Sequence, residues 1–429
     1  MNSFDLKILK YTSYLFYLIP IFLINTILIA DLSVVLIDII FLYLVIKYKK
    51  YSYFNNIYFK IYLLFYTLIT IRSLFSENIF LSLSASIFYL RFGLFTLATY
   101  FFLERNSSLV KNLRNLFLII LLILFIDTVY QFFFGKNILG MQYRFTNDNN
   151  FRLTSFFGDK GVLGSYVSRF FPLIISLFFF DQKNKITNSN IFLITLVSII
   201  SLLLVILSGE RTSLFLLILV FLLIFLTSNG GLKKIFGFSL VAAVIITTLL
   251  INFDNRIKHR VVDSTYGQLG LNSTEKRIYI FGPVYEGHFK VAYKMFSENP
   301  IFGKGVKMFR DFCNKPENYI NETACTTHPH NVFVQILAET GLIGFIFIFS
   351  LFIVVIKILL TNFYRSFILA AINTNHISSN FNNAKICLLI AIFISISPFN
   401  PSGNFFNNWL SIIYFYPIGF LIYLDKYKK

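Results

Sequence analysis

The sequence predicts an all-α polytopic membrane protein with about twelve transmembrane helices. Three observations predict it. Only 14% of the 429 residues are charged and 56% are hydrophobic, whereas roughly 25% of an ordinary soluble domain is charged. The apolar residues fall in long runs of Ile, Leu and Phe without strict alternation, which argues against a β-barrel. The cations divide unevenly between alternate connections. Such a chain cannot cover a soluble globule with polar surface, so a cytosolic enzyme, a secreted disulfide scaffold and a disordered protein are ruled out.

A helix that spans a bilayer takes about 20 apolar residues. Candidate runs lie at 11–30, 32–46, 57–75, 79–103, 113–134, 161–180, 190–207, 211–228, 235–253, 331–356, 384–398 and 405–424. The first two are separated by little more than Asp31. Lys7 and Lys10 precede the first run and no convincing small-residue cleavage site follows, so this run reads as a retained span. Three regions follow from the pattern: N-terminal helices over 1–134, a central region over 135–360, and C-terminal helices over 361–429.

Orientation follows from the short loops. Of 38 Lys and Arg, 19 lie in one alternating set, from Lys7 and Lys10 to Lys426, Lys428 and Lys429. The shortest connections of the other set, near Asp31, 76–78 and 398–404, carry none. The first set, with both termini, is therefore expected to be cytoplasmic. The net charge of +18 is in this way a topology signal, and nucleic acid is not an expected partner. Arg72, Arg91 and Arg169 lie inside spans. Intramembrane arginines face the protein interior and find partners, with Asp127 a candidate.

Chemistry is expected in the outside loops. Segment 254–330 holds four of the five His. Its stretch 283–298 reads as an amphipathic helix, lying on the membrane face or capping the bundle in solvent. Asn299-Pro300 ends that helix, and Gly303 and Gly305 mark a turn. The segment ends in Thr327-His328-Pro329-His330-Asn331, at the mouth of a span carrying Gln335 and Glu339, four apart on one face. Pro329 holds His328 extended, and Asn331 suits a helix cap.

Ser208-Gly209-Glu210-Arg211-Thr212 joins two apolar helices almost without a loop. Arg211 opens the second of these, where an anion could also meet helix N-terminal amides. The alternative is a Glu210–Arg211 ion pair at the membrane surface. Phe151 to Gly158 precedes Gly161 and Gly164, small residues that let helices approach. Arg152, Arg211 and Arg277 suit an anion site because the planar guanidinium donates two parallel hydrogen bonds. Cys313 and Cys325 lie twelve apart in the outside segment, where a disulfide can form. His328 and His330 could instead begin a zinc site, with His259, His288, Cys313 or Cys325 as a third ligand, but no tight spacing completes it.

Together these clusters resemble the O-antigen ligase and polymerase superfamily of bacterial membrane glycosyltransferases. The ligase pattern is His-Asn, nine residues, then Gly-x-x-Gly. His330-Asn331, Val332 to Thr340, and Gly341-Leu342-Ile343-Gly344 fit it. Arg152 through Gly164, Gly209-Glu210-Arg211 and Asn299 through Gly305 match further recurring pieces in order. The resemblance implies a class C-type glycosyltransferase fold in the bacterial inner membrane and metal-independent, cofactor-free, inverting transfer at the periplasmic face. The implied donor is a glycan on undecaprenyl diphosphate. The acceptor is lipid A–core for a ligase, in lipopolysaccharide biosynthesis, or a lipid-linked glycan for a polymerase, and membrane lipids surround the whole. His330 is the candidate base, or alternatively a diphosphate ligand as imidazolium. Arg211, Arg277 and Arg152 are candidates for the diphosphate, with Asn331, Glu339, Gln335, Glu210 and His328 in support. A lipid-linked oligosaccharide transporter is the competing class. It would place buried charge near the membrane midplane, whereas here the polar motifs gather at one face.

Overall fold

The computed structural model describes residues 2–106, 108–142, 144–145, 151–180, 187–271, 278–369 and 380–427. The N-terminal part consists of α1 (Ser3–Asn25), α2 (Ile27–Lys47), α3 (Ile57–Leu74), α4 (Ile79–Ser86), α5 (Leu90–Arg105) and α6 (Ser108–Phe134). After a two-residue antiparallel pair, Arg144–Phe145 with Phe151–Arg152, come α7 (Leu163–Ser176), α8 (Asn188–Leu207), α9 (Arg211–Thr227) and α10 (Gly230–Phe253). The next segment holds the short α11 (Asn255–Lys258) and α12 (Ser264–Gln268), then α13 (Pro283–Glu298) and α14 (Phe309–Cys313). Three helices close the chain: α15 (Val332–Tyr364), α16 (Asn380–Ser395) and α17 (Asn408–Tyr427).

Each apolar run is thus helical. Among the described residues, eight helices are long and apolar enough to cross a membrane, and α9 and α16 are shorter apolar helices. The first boundary differs from expectation. The chain breaks at Thr26, whose φ of −139° and ψ of 99° leave the helix, and Asp31 lies inside α2. Asp31 tolerates a helix interior because Arg91 of α5 holds its carboxylate at 2.9 Å. Arg91 therefore finds a partner as expected, but Asp127 is not the partner of Arg169. Asp127 accepts from Ser155 Oγ and from the Ile138 amide at 2.9 Å, while Arg169 Nε donates to Ser165 Oγ at 3.1 Å.

The loop contacts separate into the two sets that the cations define. Lys47 pairs with Asp5, Lys385 with Asp425, and Lys426 with Glu104. In the other set Lys304 and Lys315 meet Glu77, Asn78 meets Asp311, and Arg260 meets Gly209. Exposed aromatic side chains such as Phe75, Phe80, Phe238 and Phe253 are what lipid would cover. Between helices in lipid the drive is close packing. Here much of it is aromatic: Phe16 stacks on Tyr416 at 5.0 Å and Phe95 stacks on Tyr416 at 5.5 Å, tying α1 and α5 to α17.

Helix α13 packs against the protein. Pro283 sits at its first turn, and Gly282 before it adopts φ 90°. Val291, Ala292 and Met295 are buried against Met308, Phe309, Phe312, Ala324 and Ala338. Its apolar face is therefore spent on protein, so the helix is a cap packed on α14 and α15.

Candidate active site

Glu210 organises the first part of the site. Gly209 takes φ 68° and turns the chain sharply between α8 and α9, which brings the Glu210 carboxylate to the start of α7. There it accepts from the amides of Gly164 (2.7 Å) and Ser165 (3.0 Å) and from Ser213 Oγ (3.0 Å). These amides are among the donors a helix leaves unsatisfied at its N-terminus. Gly164 is required for this contact, since a Cβ would come within 2.6 Å of Ser208 Oγ and 3.1 Å of Glu210 Cβ. Burial pushes the Glu210 carboxyl up to about 7, against the lowering effect of the amides and of nearby Arg152. Glu210 is therefore a helix cap, and the surface ion pair with Arg211 considered from the sequence does not form.

Arg211 instead reaches α12, where Nη1 donates to Thr265 Oγ1 at 3.3 Å. A further arginine, absent from the sequence-based set, completes the group. Arg260 is 5% exposed and donates Nε to the Gly209 carbonyl at 2.7 Å. Burial, together with repulsion from Arg152 and Arg211, lowers its pKa to about 10. Three guanidinium groups so close favour an anion between them. Arg260 lies 51 residues from Gly209 in a stretch without a motif, so nothing local in the sequence marked it. Arg277 lies outside the described residues.

The second part is a histidine cluster. His328 and His330 rings are 4.1 Å apart, and His288 of α13 is 5.2 Å from His330. His330 adopts φ 56°, a left-handed conformation that is unusual for a bulky residue and common at functional sites. It is held there by the Ser402 amide, which donates to its carbonyl at 2.8 Å. The Ser402 carbonyl accepts from His328 Nε2 at 3.3 Å, and His328 Nδ1 therefore accepts from Thr327 Oγ1 at 2.9 Å. Burial, with a smaller contribution from neighbouring histidines, lowers the pKa of His330 to about 4 and of His328 to about 3. His288 is also lowered by burial. All three are neutral imidazoles near pH 7. Tyr285 joins the two parts: its ring lies 5.7 Å from His330, and it is within electrostatic range of Arg211 and Arg260.

The supporting residues fall beneath the histidines. Asn331 caps α15 through the amides of Phe333 (3.0 Å) and Val334 (3.2 Å), and anchors the 396–407 loop through Pro398 O at 2.8 Å. Gln335 Nε2 donates to Glu339 and to Asn404, and Gln335 Oε1 accepts from the Phe405 amide at 2.9 Å. Glu339 is fully buried. These two residues brace the last interhelical loop against α15. Cys313 and Cys325 are joined to each other with Cα atoms 5.2 Å apart. This removes them from the zinc set, and among the described residues no His, Cys, Asp or Glu group has metal-holding geometry.

Fold and site define a polytopic helical membrane protein with an arginine and histidine cluster at one end of its helices. Residues 196–349, which contain Glu210, Arg211, Arg260, the histidine cluster and the Gly341 break, match the family model described as O-antigen ligase. That domain match agrees with the superfamily resemblance carried by the motifs. Comparison with curated proteins yields no match.

Proposed function

We propose that this protein transfers a glycan from undecaprenyl diphosphate to a sugar hydroxyl at the periplasmic face of the bacterial inner membrane. In this reading the helices cross the bilayer twelve times in a class C-type arrangement, with both termini cytoplasmic. The acceptor assigned is lipid A–core, which makes the protein an O-antigen ligase. The observation that carries the reading is the nearness of Arg211 and Arg260 to Tyr285 and a neutral His330 inside the segment that matches the family, with Arg152 beside the two arginines from outside it.

The chemistry needs a base on one side of the sugar and cations on the other. Neutral His330 accepts the proton of the acceptor hydroxyl. The hydroxyl oxygen forms the new bond to the anomeric carbon while the bond to the diphosphate oxygen breaks, and the electron pair leaves with the lipid diphosphate. Arg211, Arg260 and Arg152 stabilise the charge that develops there. Attack opposite the leaving group inverts the anomeric centre. A neutral His330 favours its role as base over that of imidazolium ligand.

The test is transfer by purified protein given lipid-diphosphate glycan with either lipid A–core or more donor. Glycan on the core supports ligation, and a longer lipid-linked chain assigns polymerisation. No product of either kind, with flipping of the donor, replaces the reading with transport.

A further inference from the structure

A cavity of about 640 Å³ opens beside His328 and is not used by the chemistry above. Its volume suits a small-molecule site. Four cations line it, Lys160, Arg169, Lys307 and Arg310, and no Asp or Glu does among the described residues. Arg169 is 4% exposed. Its Nε is spent on Ser165, but Nη1 is buried without a hydrogen-bond partner, as is Nε of Arg310. A buried guanidinium with an idle donor is costly unless something supplies the acceptor. Asp31, behind Asn408 at the rim, is occupied by Arg91. Glu339, behind Lys307 and Arg310, offsets part of the charge from outside the lining.

Apolar residues such as Leu23, Phe157 and Leu410 form part of the remaining wall, and the rest of it suits a sugar. Trp409, the single Trp of the chain, lines the cavity and is fixed by its indole N–H donating to Leu23 O at 2.9 Å. Asn404, Asn407 and Asn408 add amide groups. A flat aromatic face, amides and cations together are what an anionic sugar requires.

We propose that this cavity is an acceptor subsite that holds a phosphate- or carboxylate-bearing sugar of the acceptor glycan. Arg169 and Arg310 bind the anionic group, and Trp409 lies against the ring. The assignment rests on the reading above, in which the donor diphosphate belongs to Arg211 and Arg260. Its placement fits, because the cavity meets the catalytic cluster at His328, one ring contact from His330. The acceptor would then be selected for its charge before its hydroxyl reaches the base.

The test uses full-length protein in nanodiscs of neutral lipid. The probes are lipid A–core with its core phosphates intact and the same material after enzymatic dephosphorylation. Binding of each is measured directly, so the outcome does not depend on turnover. Arg169→Gln and Arg310→Gln are each expected to weaken binding of the phosphorylated probe by roughly tenfold or more. Both variants should leave the dephosphorylated probe, already weak, unchanged, and Arg169→Lys should recover part of the loss. Arg310 lies outside the spanning helices and serves if an Arg169 variant fails to fold. Equal loss on both probes, or no loss on either, overturns the proposal. So does tighter binding of phosphatidylglycerol than of the probe at this cavity, which would make it a lipid headgroup site. In turnover, a rise in KM for donor with no change for acceptor would move the cavity to the donor and overturn both assignments. Absence of transfer with probe discrimination intact would overturn only the proposed function.

Discussion

Leu342 donates its backbone N–H to Pro300 O at 2.8 Å rather than to Ala338, one turn below it in α15. Ile343 likewise donates to Ile301 O at 3.3 Å. The carbonyls of Ala338 and Glu339 that these amides leave are taken by Lys304 N (3.2 Å) and Gly305 N (2.8 Å). The segment Pro300–Gly305 is thus inserted into the hydrogen-bond ladder of α15, and the two amides and two carbonyls freed at the break are each satisfied. The break is possible because Gly341 adopts φ 65° and ψ −166°, a region almost closed to other residues.

Gly341→Ala is therefore expected to destabilise the protein strongly. The backbone conformation alone costs about 1–3 kcal/mol, and the added Cβ would lie 2.3 Å from Ile301 O. Gly344→Ala also meets a neighbour, Thr340 Oγ1 at 2.0 Å, but at a side chain rather than the backbone and without the positive φ, so it should cost less. Thermal melts of the two purified variants check this. Equal melting temperatures would show that the exchanged ladder does not matter.

This arrangement also shows what was legible in the sequence. Gly303, Gly305, Gly341 and Gly344 were visible as motif residues. That the first pair docks onto the second was not, because the contact joins backbone groups some 40 residues apart and has no side-chain pattern. Helix positions were readable because lipid imposes length and apolarity on each one. The Asn331 cap and the Gln335–Glu339 pair were readable because both are local. Arg260, Ser402 and the Arg169 cavity depend on long-range packing, and Glu210 looked like the partner of its neighbour Arg211 until α7 came to it. The Thr26 break was misplaced because an aspartate in an apolar run looks like a boundary when its partner, Arg91, is unseen.

Arg260→Gln is expected to lower the rate of transfer roughly 100- to 1000-fold, the usual effect of removing one donor that stabilises developing charge. Arg260→Lys should recover only part, since an ammonium keeps the charge but loses the fork that holds Gly209 O and faces an anion together. Initial rates with saturating acceptor check this. A full rate in Arg260→Gln would remove it from the site.

In the proposed role of base, His330 works only when neutral. With its pKa lowered to about 4, kcat/KM should stay level as pH falls from 8 towards 5 and decline only below that. His330→Ala should abolish transfer while leaving insertion intact. The same shift affects stability. His330 and His328 bind fewer protons folded than unfolded between their lowered values and about 6.5, so stability falls as pH drops through that window. Rates and melting temperatures measured in parallel separate the two effects. A rate that rises on acidification would instead make His330 a cationic ligand.

The Cys313–Cys325 bond closes a short loop between α14, which carries Arg310, and the strand of chain leading to His328. By loop entropy such a link is worth about 3 kcal/mol. Cys313→Ser with Cys325→Ser should lower the melting temperature, and reductant should lower wild type to the same value without affecting the double variant. A reductant effect that persists in the double variant would show that the reductant does not act through this bond.

Glu210→Gln tests the cap on α7. The folded carboxyl, raised to about 7, holds its proton where the unfolded one, near 4.5, has lost it. The folded state therefore binds more protons between these values, and this contribution to stability falls as pH rises through the window. Glutamine does not titrate. At pH 5 the wild-type side chain is neutral too, so the two proteins should melt close together. At pH 8 wild type carries a buried charge whose cost the Gly164 and Ser165 amides offset only in part. The gap in melting temperature should therefore shift towards the variant between pH 5 and pH 8. A gap independent of pH would mean that Glu210 titrates as an ordinary carboxylate. Transfer should be less sensitive to Glu210→Gln than to Arg260→Gln, because the carboxylate shapes the turn before Arg211 and touches no substrate.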